Sequence, residues 1–144
     1  MPRGACLCGA VSFEVRGELP PPDGCHCSQC RKSSGHYFAS TDVPRDALTV
    51  RGAEHLTWYQ SSEKVRRGFC SVCGSSLFWD PVHRDWTAVA MGAFEVPTGA
   101  RMNKHIFVHE QGDYYELSDG LPRFGPNAES EWLPGTDSNH RPTG

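Results

Sequence analysis

A mainly β domain is the fold class this sequence predicts, and three observations predict it. Short runs of alternating apolar and polar residues recur at intervals of about ten residues, the spacing of an all-β domain. No longer stretch carries a convincing helical period. Fifteen Gly and eleven Pro among 144 residues punctuate the chain with turns. Glu, Ser, Asn, Pro, Gly and Thr dominate from residue 126 on, so the chain reads as one domain over residues 1–125 followed by a loosely held tail over 126–144.

The elements follow in order. Val11, Phe13 and Val15 alternate with Ser12, Glu14 and Arg16, as a half-buried strand does. Gly17 ends it, and Pro20-Pro21-Pro22-Asp23-Gly24 reads as a loop. Residues 36–41 are the next strand candidate. Pro44-Arg45-Asp46 suits a single helical turn with Asp42 as its cap. Strand is then expected at Leu48–Arg51 and Leu56–Gln60. It is also expected at 64–70, where Arg66, Arg67 and Gly68 weaken the alternation, and at Ser76–Trp79. The apolar stretch Trp86–Phe94 suits a central strand. His105–Val108 and Tyr114–Leu117 are shorter candidates.

Composition bounds the function. Hydrophobic residues make up 38% and charged residues 22%, and the formal net charge is −3. The balance argues against whole-chain nucleic-acid binding. No apolar run approaches the ~18–20 residues that a membrane helix needs. The first residues lack the apolar stretch of a signal peptide, so a cytoplasmic location is expected.

Seven cysteines fall in tight groups: Cys6/Cys8, Cys25/Cys27/Cys30 and Cys70/Cys73. In a reducing compartment such grouping reads as metal ligation rather than a disulfide framework. Cys6-Leu7-Cys8 places two thiols on one side of an extended chain. Cys70-Ser71-Val72-Cys73-Gly74 is a knuckle whose turn brings two sulfurs together, with Gly74 free to take positive φ. Joined, the two pairs make a four-thiolate zinc site with no open position, which holds a fold and does no chemistry. Cys25-His26-Cys27-Ser28-Gln29-Cys30 combines same-face and knuckle spacing, so three sulfurs can converge. Three ligands leave a fourth position free, the pattern of catalytic zinc. His26 is expected to point away as a supporting residue. Spacing alone leaves a swapped partition open, in which Cys25 and Cys27 join Cys70 and Cys73.

Taken together, the motifs resemble the glutathione-dependent formaldehyde-activating enzyme family, which also includes centromere-protein-V-like members. The resemblance runs through Gly4-Ala5-Cys6-Leu7-Cys8-Gly9-Ala10-Val11, then from Cys25 through Arg31-Lys32-Ser33-Ser34-Gly35, and then from Phe69 to Leu77. Fainter echoes are Met91–Phe94, His105–Val108 and Asp119–Phe124, so it covers about residues 4 to 124. It implies an Mss4-like fold of small β-sheets around zinc. It implies a structural zinc on Cys6, Cys8, Cys70 and Cys73, and a catalytic zinc on Cys25, Cys27 and Cys30. The implied activity is a carbon–sulfur lyase reaction in the synthetic direction, the condensation of formaldehyde with glutathione. Two features depart from the family. The aromatic residue usually found as Trp before Asp119-Gly120-Leu121-Pro122 is Tyr114 or Tyr115 here, and the tail has no counterpart.

Three thiolates leave Zn²⁺ with a net negative charge, which weakens it as a Lewis acid and favours a role in positioning a thiol. Glutathione carries two carboxylates, and Arg31 and Lys32, directly after Cys30, are the candidate contacts. Arg66 and Arg67 are weaker ones, because neighbouring strand residues face opposite ways. His36, Tyr37 and Phe38 are candidates for a pocket wall or for core. No residue stands out as a general base. Two other functions use the same cysteines: a non-enzymatic zinc-binding interaction module, and a thiol redox or metal-buffering protein. The chain has no long basic or Pro-rich arm, which favours the enzyme over the module.

Overall fold

A computed structural model of the chain describes residues 1–126. In chain order its elements are β1 (Arg3–Ala5), β2 (Ser12–Val15), β3 (Asp23–Cys25), α1 (Ser28–Ser34), β4 (Phe38–Pro44), β5 (Leu48–Arg51), β6 (Leu56–Gln60), β7 (Val65–Cys70), β8 (Ser76–Pro81), β9 (Trp86–Ala90) and β10 (Lys104–Ile106). The fold class is mainly β, as expected. The chain divides into two compact units. One holds Met1–Pro22 and Ser40–Arg101, and the other holds Asp23–Ala39 and the described residues from Met102 on.

In the first unit, β2 lies between β1 and β5 in an antiparallel sheet. The alternation that marked β2 is real burial: Val11, Phe13 and Val15 are all inside. A second antiparallel array runs in the order β4-β9-β8-β7-β6. Its Val43, Leu77, Phe78 and Val89 join the β2 residues in one core. Phe13 stands edge-on to Phe78 and Phe94, at centroid distances of 5.8 and 5.1 Å. These are the offset arrangements that aromatic quadrupoles favour. Cys6 and Cys70 belong to this same core.

Gly68 sits opposite Trp58 in the β6–β7 register. A Cβ there would come within 2.8 Å of the indole, so the ring lies flat over bare backbone. The β7–β8 register shifts between Gly68 and Phe69. A bulge of this kind re-aims the side chains beyond it, and the next residue is Cys70. The Arg66 guanidinium lies over the same indole, 3.8 Å from the Trp58 ring centroid. The Arg66 Nε donates to Asp80 at 2.7 Å, and Arg45 approaches the same buried carboxylate at 2.6 Å.

In the second unit β3 and β10 pair in parallel, with Gly24 opposite His105. Cys27 caps the N-terminus of α1, and Gly35 ends the helix at φ 90°. Gly35 N–H donates to the Arg31 carbonyl at 2.8 Å, the helix-ending bond that only a left-handed residue makes without strain. Phe38 and Val108 are buried, along with two histidines, His26 and His105.

Several expectations shift. Residues 36–41 become a strand only from Phe38. Trp86–Phe94 is strand to Ala90 and then a 3-10 turn, Met91–Ala93. The helical turn at Arg45–Ala47 forms, but Pro44 begins it with no side-chain cap, because Asp42 lies inside β4. Tyr114–Leu117 is irregular rather than strand; its two tyrosines contact side chains instead of pairing backbone. The proposed tail, apart from Pro126, lies outside the described residues.

Candidate metal centres

Among the described residues, two groups of metal-binding side chains converge, each with its ligand atoms within 4.8 Å of one another. They are Cys6, Cys8, Cys70 and Cys73 in the first unit, and Cys25, Cys27 and Cys30 in the second. The swapped partition is not what the fold makes.

The four-cysteine group is assembled by two turns. Cys6 and Cys8 lie in the β1–β2 connection, where Gly9 takes φ 83° and its N–H reaches the Cys6 carbonyl at 3.1 Å. Cys70 ends β7, and the knuckle closes through Gly74 N–H on the Cys70 carbonyl at 2.8 Å. Backbone donors already point at the sulfurs. Val11 N–H reaches Cys6 Sγ at 3.3 Å, and Val72 and Cys73 N–H reach Cys70 Sγ at 3.4 and 3.5 Å. Ser75 ties the turns together: its hydroxyl accepts from Leu7 N–H at 3.0 Å and lies 3.2 Å from Cys73 Sγ. That hydroxyl and the Ser75 N–H bring the Cys73 thiol down to about 5. At Cys8 the Ala10 N–H pulls down, but burial and the neighbouring sulfurs outweigh it and push the thiol up to about 11. Four sulfurs so close do not all ionise without a cation among them.

The spacing identifies a suitable cation. Cys6 Sγ and Cys8 Sγ are 3.7 Å apart, and Cys8 Sγ and Cys70 Sγ are 3.8 Å apart. A zinc–sulfur bond of about 2.3 Å gives a tetrahedron with edges of about 3.8 Å. The donor set and its dimensions therefore fit tetrahedral zinc.

The three-cysteine group is built from consecutive local structure. Cys25 is the last residue of β3, Cys27 is the N-cap of α1, and Cys30 is in its first turn. Cys27 Sγ accepts the Cys30 N–H at 3.3 Å. The Cys25 thiol is pushed far up, first by Cys27 and Cys30 and then by burial. These three sulfurs fit a soft divalent cation for the same reason as the four. His26 contributes no ligand, since both ring nitrogens are engaged. Nδ1 meets the Tyr115 hydroxyl, and Nε2 lies 2.9 Å from His105 Nδ1.

The other candidates are placed as follows. Arg31 is partly buried, with its Nε donating to the Glu110 carbonyl at 3.1 Å. Lys32 is exposed. Arg66 is occupied by Asp80 and Trp58. Tyr37 lies against His26 at 4.5 Å, and His36 Nδ1 is 2.6 Å from the Tyr114 hydroxyl. The sequence did not single out the linkage of His26 through His105 to Asp119, whose Oδ2 lies 2.8 Å from His105 Nε2. The only hint was that all three residues fall within or beside the motif segments.

The family model for the glutathione-dependent formaldehyde-activating enzyme matches residues 1–110. A Halomonas elongata protein that carries the family's description in its name is 41% identical over 87 residues, 54% of this chain and 55% of its own length. A Schizosaccharomyces pombe protein named as an uncharacterized lyase is 34% identical over 79 residues, 53% of this chain and 55% of its own. The match thus spans about half the length of these relatives. A Rhodobacter sphaeroides crystal structure superposes with a TM-score of 0.56 at 29% identity, over 65% of this chain and 88% of that one. The matched region carries both cysteine groups whole, and the chain belongs to the glutathione-dependent formaldehyde-activating enzyme family.

Proposed function

We propose that this chain is a zinc-dependent carbon–sulfur lyase-type enzyme that joins formaldehyde, or another small aldehyde, to the thiol of glutathione or a related compound. The observation that carries the reading is the incomplete ligand set of the second centre: three thiols converge, and His26, which separates two of them, is engaged elsewhere. In this reading residues 1–125 are the catalytic domain. Cys6, Cys8, Cys70 and Cys73 hold a structural zinc, and Cys25, Cys27 and Cys30 hold a second, catalytic one. Zinc held by these three thiolates would supply a metal–sulfur bond that favours the thiolate form of a fourth thiol near neutral pH.

The chain's own residues then orient the reactants. Cys25, Cys27 and Cys30 would hold the metal, and as only three ligands they would leave a place for the incoming sulfur. Bringing thiol and aldehyde together accounts for much of the rate, because the uncatalysed reaction is bimolecular. Exposed Lys32 is the proposed partner for a glutathione carboxylate. Arg31 is a second partner through the part of its guanidinium that Glu110 does not engage. No disulfide joins the described cysteines, which suits a reducing compartment, so the cytoplasm is the proposed location. No helix among the described residues is long and apolar enough to cross a membrane.

The test compares Cys30→Ser with Cys70→Ser. Formation of the thiol–aldehyde adduct is followed by NMR, and folding by thermal melting. Cys30→Ser is expected to abolish adduct formation while shifting the melt little. Cys70→Ser is expected to destabilise the protein by about 4 kcal/mol or more, as loss of a structural metal does. Equal behaviour of the two variants overturns the division of labour. Retained activity in Cys30→Ser overturns the catalytic assignment. Cys25 and Cys27 are only partly buried, so a redox or metal-buffering role is the second reading. Rapid oxidation of these thiols with no adduct formation by the wild type would favour it.

A further inference from the structure

Four polar side chains of the second unit form an unbroken chain of hydrogen bonds that no ligand set requires. The Tyr115 hydroxyl meets His26 Nδ1, His26 Nε2 is 2.9 Å from His105 Nδ1, and His105 Nε2 is 2.8 Å from Asp119 Oδ2. Both histidines are completely buried. Asp119 accepts from His105 Nε2–H, because a carboxylate only accepts. With one proton on each ring, His26 donates through Nε2 to His105 Nδ1 and accepts at Nδ1 from the Tyr115 hydroxyl. Every ring nitrogen of the two histidines has a partner.

Packing reinforces the chain. The Tyr37 ring lies 4.5 Å from that of His26 and stands perpendicular to that of His105 at 5.5 Å. Gly24, paired with His105 across β3 and β10, has no room for a side chain: a Cβ would come within 2.9 Å of Tyr37 and 3.2 Å of His105 Nδ1. Buried polar groups destabilise a core unless every one is satisfied. These are satisfied, and they converge on the residue that separates Cys25 from Cys27.

We infer that His105, Asp119 and Tyr115 are positioning residues that act through His26 to set the spacing of Cys25 and Cys27. A ring bonded at both nitrogens has one χ1 and one χ2, and the backbone carrying it is held with them. Cys25 and Cys27 are its immediate neighbours, each one Cα step of about 3.8 Å away, so their Cβ directions follow. Cys30 is fixed separately by the first turn of α1. The four-cysteine centre needs no such frame, because Cys6 and Cys70 are set by the hydrophobic core. The inference rests on the metal-binding role proposed above for Cys25, Cys27 and Cys30.

The test is titration of the metal-free full chain with cobalt(II), read by the sulfur-to-cobalt and ligand-field absorption. The wild type is expected to take two equivalents. In His105→Phe one equivalent should bind about 10- to 100-fold more weakly, the usual effect of removing the partners behind a metal ligand, with altered ligand-field bands. The other equivalent should be unchanged. Asp119→Asn keeps an acceptor oxygen at an exposed position, so about a tenfold loss or less is expected of it. Together with Tyr115→Phe it carries the test if His105→Phe does not fold. Wild-type affinity and spectrum in the folded variants overturn the inference and leave the metal site standing. Equal weakening of both equivalents also overturns it. A wild type that takes one equivalent, unchanged by Cys30→Ser, removes the proposed metal role itself and the inference with it.

Discussion

Asp80 is fully buried between two arginines that are themselves half-exposed. Burial alone would raise its carboxyl, but Arg66 and then Arg45 outweigh it and hold the group below the ordinary carboxylate range. The consequence for stability has a definite sign. A lowered folded pKa means that the unfolded chain takes up the proton more readily. The ionised carboxylate's contribution is therefore complete above the unfolded value of about 4 and disappears as pH falls through the folded value. Asp80→Asn is expected to cost about 2 kcal/mol at neutral pH, less than a wholly buried pair because water screens both guanidiniums. Urea denaturation of both proteins should give a constant gap from pH 8 to about 5 and a narrowing gap below about 4. A gap that does not change with pH would mean that the carboxylate charge contributes nothing. The sequence hid this residue. Arg66 lies 14 positions away on an adjacent strand, and no local motif joins the two. The cysteines were legible for the opposite reason, since metal ligands must lie on turns of a few fixed spacings.

At the scale of elements, alternation revealed β2, β6 and β7 because in each one face is less exposed than the other. β1 and β3 escaped notice because three residues are too few to show a period. α1 escaped because its seven residues make barely two turns, and only Cys30 among them is buried. It ends at Gly35, which takes a left-handed backbone. Gly35→Ala tests what that stop contributes. A Cβ there meets nothing within 4 Å, so the cost is purely the left-handed backbone, about 1 kcal/mol. Urea denaturation should show that loss with metal content unchanged, and Gly35→Asn should lose less. A neutral Gly35→Ala would mean that α1 ends some other way in solution.

At the scale of the whole molecule, the fold class and the three cysteine groups were readable from pattern and spacing, whereas the partition was implied only by the family resemblance. Nothing in the spacing forbids Cys25 and Cys27 from joining Cys70 and Cys73. What decides it is that Cys6 and Cys70 are core residues of the same unit, a fact about tertiary packing. The partition predicts how the protein responds to chelation. Graded chelator, with zinc content and thermal melting measured on the same samples, should remove one zinc with little change in the melt. The second should leave only with loss of the fold. Simultaneous release would show that the centres do not differ in the way proposed.

The two centres also differ in how far apart along the chain their ligands lie. Cys8 and Cys70 are 62 residues apart, and bridging them restricts the unfolded chain by about 4 kcal/mol on a cross-link estimate. The other three thiols lie within residues 25–30. During synthesis the local set leaves the ribosome complete while most of the chain is still unmade, whereas the distant set must wait for Cys73. On the proposed metal role, the nascent polypeptide presents these three thiols before His105, Tyr115 and Asp119 exist to frame them. Over that interval the cell's supply of metal, rather than the shape of the protein, would determine which ion they meet.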